Sequence, residues 1–130
     1  MTRKTKWSLA AVAVTITVAV GAILLHVSHD DSAIKCVCEW ARLAPFPRSA
    51  ANLTVRTSGS MFTREFDVEF DGPLKDINDW IALSPGTTAL VPEKAGSRRH
   101  YSIIPGGGAE FAELTVDDAT GHVHIHAYWS

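Results

Sequence analysis

The 130-residue chain has a formal charge of −2, 46% hydrophobic residues and a mean hydropathy of +0.07. At this length we expect one ordinary domain and little else. The part beyond position 28 has nine basic and fourteen acidic residues, a charge of −5. Because a protein that grips a phosphate backbone needs clustered positive charge, this balance disfavours nucleic acid as a partner.

An apolar run near the N terminus predicts a transmembrane helix. Residues 7–28 contain no formal charge, and a helix of that length spans roughly 33 Å, which matches the apolar core of a bilayer. Residues 1–6 include three basic side chains, whereas Asp30 and Asp31 follow the run. The positive-inside rule therefore predicts a signal-anchor helix with a cytoplasmic tail, residues 1–6, and an extracytoplasmic C-terminal part.

A cleaved signal peptide is the alternative interpretation of this run. The small residues of Val20-Gly21-Ala22 offer a cleavage site. Cleavage there would leave the apolar residues 23–25 exposed at a new N terminus. The length of the run therefore favours an uncleaved anchor.

Residues 29–51 are predicted to form a stalk that contains a short helix, residues 33–44, ended by Pro45. Cys36 and Cys38 lie in this helix. Because a helix would place them on opposite sides, a disulfide between them is geometrically awkward. An interchain disulfide, free thiols and a soft-metal pair remain as alternatives.

Residues 52–130 are predicted to form a small extracytoplasmic α+β domain. Alternating apolar and polar residues predict strands at 52–58, 61–71, 101–104, 109–117 and 122–129, with a further short strand at 88–91 as an alternative. Helical spacing of apolar residues predicts one helix at 73–83. The expected fold is an antiparallel sheet in β-β-α-β-β-β order, with one helix packed on one face and with Phe62 and Trp129 turned towards the core.

Three histidines alternate along the last predicted strand. His122, His124 and His126 project from the same face, about 6.5 to 7 Å apart along the backbone. Imidazoles at this spacing can converge on zinc or copper, and Glu113 or His100 on a facing strand would supply a third ligand. The alternatives are a plain solvated sheet face and a contact surface that responds to pH.

No recognisable catalytic motif accompanies these residues. Glu65, Asp67 and Glu69 alternate on one predicted strand, a pattern more typical of solubility and edge protection than of paired catalytic carboxylates. We therefore expect a membrane-anchored interaction module without enzymatic activity or a required cofactor, which contacts another envelope protein or a second copy of itself. The alternative function is a zinc- or copper-binding module that uses His122, His124 and His126.

Overall fold

Six antiparallel strands form one sheet in this computed structural model, which describes residues 31–130. The strands are Ala51–Ser58 (β1), Arg64–Asp71 (β2), Glu93–Ala95 (β3), Arg98–Ile103 (β4), Phe111–Asp117 (β5) and His122–Trp129 (β6). Residues 31–40 are helical (α1), and a second helix spans Leu74–Leu83 (α2). The predicted α+β class with an antiparallel sheet is confirmed.

The strands lie in the order β1-β2-β6-β5-β4-β3, so the last strand of the chain is central. Side chains alternate between the two faces of a strand. On one face, β2 buries Phe66, Val68 and Phe70, and β6 buries Val123, Ile125 and Ala127. The alternate residues of β6 are all polar, so pairing with β2 and β5 places the histidines in the middle of the opposite face.

Both helices pack on the apolar face of the sheet. The ring of Trp40, at the end of α1, meets Phe66 at a centroid distance of 5.2 Å. The Trp80 ring of α2 lies 5.5 Å from Phe70, and its Nε1–H donates to the carbonyl of Ala44 at 2.9 Å. Edge-to-face rings fill the space between helix and sheet without leaving a buried indole N–H unsatisfied. The other face of the sheet is left without a covering helix in residues 31–130.

The number of strands and helices on the sheet differs from the prediction. A three-residue strand, β3, adds a sixth strand at the edge next to β4. All three residues of β3 are exposed, so there is no apolar alternation to reveal it. The alternative strand at 88–91 is wrong, because residues 85–89 form turns in which the Leu90 N–H donates to the carbonyl of Thr87.

Two aromatic side chains expected in the core are exposed. Phe62 is 74% exposed because β2 begins only at Arg64, and the Ser60 N–H donates to the Thr63 hydroxyl within the preceding turn. Trp129 is 43% exposed. It pairs with Arg64, the first residue of β2, and has no partner on β5, whose first residue, Phe111, lies opposite Tyr128, so few neighbours remain to cover it.

The segment predicted as a stalk contributes to the core. Residues 33–130 form one compact unit, and Val37 and Ala41 are fully buried in its apolar cluster. The Gly86 N–H donates to the carbonyl of Arg42 at 2.7 Å, which ties the end of this segment to the loop after α2. The helix predicted there is present, and it packs against the sheet as a second helix.

The predicted transmembrane segment, residues 7–28, and the cytoplasmic tail lie outside the described residues. Within residues 31–130, no helix is long and apolar enough to cross a membrane.

Candidate functional site

The uncovered face of the sheet, called the open face below, carries many charged and titratable side chains. It consists of the outward-pointing residues of the six strands, which the strand register brings side by side. Its histidines are His100, His122, His124 and His126, its carboxylates are Glu65, Asp67, Glu69, Asp71, Glu93, Glu113 and Asp117, and its guanidinium groups are Arg56 and Arg98. Seven carboxylates against two guanidinium groups give a net charge of −5 when the imidazoles are neutral.

Each histidine of β6 contacts a carboxylate of β2. His122 Nδ1 lies 2.6 Å from Asp71 Oδ1, and His124 Nε2 lies 2.8 Å from Asp67 Oδ1. His126 Nε2 lies 2.5 Å from Glu65 Oε1. His124 and His126 each contact the β2 residue two positions before the one directly opposite, as the twist of adjacent strands allows.

Glu113 of β5 contacts both His126 and the fourth histidine of the open face, His100. Its Oε2 lies 2.7 Å from His100 Nε2, and its Oε1 lies 3.3 Å from His126 Nδ1. Side chains of these residues are between 20% and 35% exposed. The histidines and carboxylates of the open face therefore form three separate hydrogen-bonded groups, one around each histidine of β6, and are not independently solvated.

The charges of the open face shift the pKa values of two histidines upwards. The hydrogen bond to Asp71 raises the pKa of His122, with smaller contributions from Glu69. Partial burial acts to lower the pKa of His126, but the hydrogen bond to Glu65 and the charge of Asp67 outweigh it and leave the pKa raised. Both shifts favour the imidazolium form beside carboxylates.

Three groups at the centre of the open face could hold a metal ion. Among residues 31–130, the ligand atoms of Glu65, Asp67 and His126 all lie within 4.8 Å of one another. The sequence predicts His122, His124 and His126 as the metal ligands. The structure places these three on one face, with the rings of His124 and His126 parallel and 6.5 Å apart between centroids.

Sequence reasoning missed the carboxylates of β2 as partners of these histidines. Apolar and polar residues alternate in both strands, but no pattern in the sequence indicates that β2 and β6 are neighbours. Of the two third ligands considered, Glu113 contacts His126, and His100 contacts Glu113. The signal that could have identified the pairing is the match between acidic residues on one strand and histidines on the other.

The two cysteines lie in α1, on the other side of the sheet. Both are free thiols that pack partly against the core. Burial raises the pKa of Cys38 to about 11, and burial together with the charge of Glu39 raises that of Cys36. Since the thiolate is the reactive form, neither cysteine is poised for nucleophilic chemistry. The predicted interchain disulfide stays a prediction.

The His122–Asp71 pair makes stability depend on pH in a defined direction. Because the pKa of His122 is raised in the folded state, its contribution is present below the unfolded pKa and is lost as the pH rises through the folded pKa. We therefore expect His122→Gln to lower the free energy of unfolding more at pH 5.5 than at pH 8.5. Denaturant unfolding of the unmodified chain and of His122→Gln at the two pH values, with a chelator present, measures this difference.

Asp71 sets a lower limit to the pH range in which this ion pair stabilises the fold. Its pKa is lowered by hydrogen bonds from Asn52 and from His122, so its own contribution is lost as the pH falls through the folded pKa. An effect of His122→Gln that was equal at both pH values, or larger at pH 8.5, would contradict the assigned ion pair.

Comparisons of the chain with protein-family models, with curated proteins and with solved structures give no match.

Proposed function

We propose that the chain is a membrane-anchored, extracytoplasmic interaction module that binds a basic partner protein on its open face and has no catalytic role. The observation that carries this proposal is the composition of the open face. Seven carboxylates and four histidines lie on a face of the sheet that no helix of residues 31–130 covers.

Support for the membrane anchor comes from the sequence. The 22 uncharged residues 7–28 are long enough to span a bilayer, and the basic residues lie before them. This orientation would hold the domain outside the cytoplasm, next to the membrane surface.

Charge complementarity favours a partner with exposed Lys and Arg side chains. Five of the seven carboxylates of the open face are held in place by contacts with its histidines, so a cationic partner meets an arrangement that is largely ordered already. A second copy of the chain would present the same acidic face and be repelled. The partner is therefore another protein of the envelope.

The size of the open face predicts a weak and transient complex. Its four central strands, β2, β6, β5 and β4, lie about 4.8 Å apart and have about seven residues each at about 3.3 Å, which gives a central surface of roughly 19 Å by 23 Å. This falls in the range of small, transient interfaces. Because such an interface depends on charge, it should be strengthened at low ionic strength.

Site-specific photo-crosslinking of the full chain in the cells that produce it tests this proposal. Thr115 lies on the open face and lines a shallow cavity of about 310 Å³ together with Glu69 and Arg98. We expect a photo-crosslinking amino acid at this position to give a discrete adduct with one protein. The matched control position is Lys75 on α2, whose side chain is 85% exposed on the helical side.

The proposal requires the adduct at position 115 to be absent from position 75. The same adducts from both positions, or none from position 115, would show that the open face is not the contact surface.

A further inference from the structure

Glu65, Asp67 and His126 form a compact cluster where β2 and β6 pair. Asp67 lies directly opposite His126 in the strand register, and Glu65 is the next residue of β2 on the same face. Their ligand atoms all lie within 4.8 Å of one another. On the other face of the sheet, the neighbours of Asp67 and His126 are buried, namely Phe66, Val68, Ile125 and Ala127, so the backbone that carries these two residues is fixed.

A neighbouring carboxylate orients His126 as a ligand. Its Nδ1 lies 3.3 Å from Glu113 Oε1, within reach of an N–H donated to that oxygen. This leaves Nε2 as the nitrogen directed at Glu65, 2.5 Å away. Metal-binding histidines in proteins usually donate the other ring N–H to a carboxylate in this way, which fixes the ring and the tautomer.

A second neighbour orients Asp67. His124 Nε2 lies 2.8 Å from Asp67 Oδ1, so its N–H can donate to that oxygen and hold the carboxylate in place. Two of the three ligands are thus held by residues outside the cluster. This arrangement distinguishes it from a chance group of exposed acidic side chains.

We propose that Glu65, Asp67 and His126 bind one Zn²⁺ ion on the open face. One imidazole nitrogen and two carboxylate oxygens are a ligand set that zinc accepts, with a fourth position open to water or to a side chain of a partner. The metal takes the place of the proton held between His126 Nε2 and Glu65 Oε1. This site shares only His126 with the three histidines that the sequence predicts.

Zinc titration of the full chain in detergent, with a histidine-free tag and after chelator treatment, tests the site. We expect one zinc per chain with a dissociation constant on the order of 1 μM. His126→Gln is expected to weaken binding by at least about tenfold, whereas His122→Gln, on the same strand and face, changes it by less than about twofold.

Glu65→Gln keeps the test decisive if His126→Gln unfolds the domain. The Glu65 side chain is 45% exposed, so this substitution should leave the melting temperature unchanged while it weakens zinc binding by at least about tenfold. Absence of stoichiometric zinc in the unmodified chain would overturn the site. So would equal losses for His122→Gln and His126→Gln, or full binding by Glu65→Gln. None of these results depends on the crosslinking outcome, so the zinc site and the interaction role are tested separately.

Discussion

Removal of the last five residues is expected to unfold the domain rather than to shorten a tail. Residues 126–128 pair on both sides, with residues 65–67 of β2 and with residues 111–113 of β5, and Trp129 pairs with Arg64 of β2. Ala127 is fully buried among them. Their loss would open a gap in the middle of the sheet and leave two new strand edges unpaired, which the small core cannot offset.

Circular dichroism and thermal denaturation of the truncated chain measure this effect. The matched control removes Ser130 alone, which lies beyond the end of β6 and should leave the melting temperature almost unchanged. A truncated chain that melts cooperatively at the temperature of the control would show that β6 is not a central strand.

Replacement of Gly86 by alanine is expected to destabilise the fold by about 3 kcal/mol. A Cβ atom at this position would lie 2.1 Å from the carbonyl oxygen of Ala41 and 3.2 Å from a methyl group of Ile103. The closest contact is with backbone, so no side-chain rotation relieves it, and the loop must move away from the end of α1. That movement would also break the hydrogen bond from the Gly86 N–H to Arg42.

Chemical denaturation of Gly86→Ala measures this cost, and Gly72→Ala is the matched control. A Cβ atom on Gly72 meets only carbon atoms of Ile77, at 3.7 Å, which is an ordinary van der Waals contact. We expect the control to change the free energy of unfolding by less than about 0.5 kcal/mol. Equal stability of the two variants would mean that the segment after α1 does not pack against the loop after α2.

Local patterns in the sequence were sufficient to predict most elements of the sheet. In β5 and β6, apolar residues occupy alternate positions, and the structure buries them as expected: Ala112, Leu114, Val116, Val123, Ile125 and Ala127. In α2, Ile77, Trp80 and Ile81 have helical spacing and face the core. Burial on one side of an element is a local property, so a single sequence reveals it.

The order of strands could not be predicted in the same way. Alternation states which side of β6 is apolar, but it does not state that β6 lies between β2 and β5. Alternation therefore predicted that the histidines share a face. It did not predict their contacts with Glu65, Asp67 and Asp71, because these depend on which strand lies beside β6. The packing of α1 against Phe66 also depends on distant residues, so the sequence suggested a stalk at this position.

The most direct test of the proposed interaction is the charge dependence of the photo-crosslink from position 115. Glu69→Gln with Glu93→Gln removes two negative charges from the open face and leaves the proposed zinc ligands in place, and Asp76→Asn with Asp79→Asn removes two from α2. If a basic partner binds the open face, the substitutions on that face abolish the adduct and those on α2 leave its yield unchanged, while both variants stay folded. An adduct of undiminished yield after the substitutions on the open face would contradict the account.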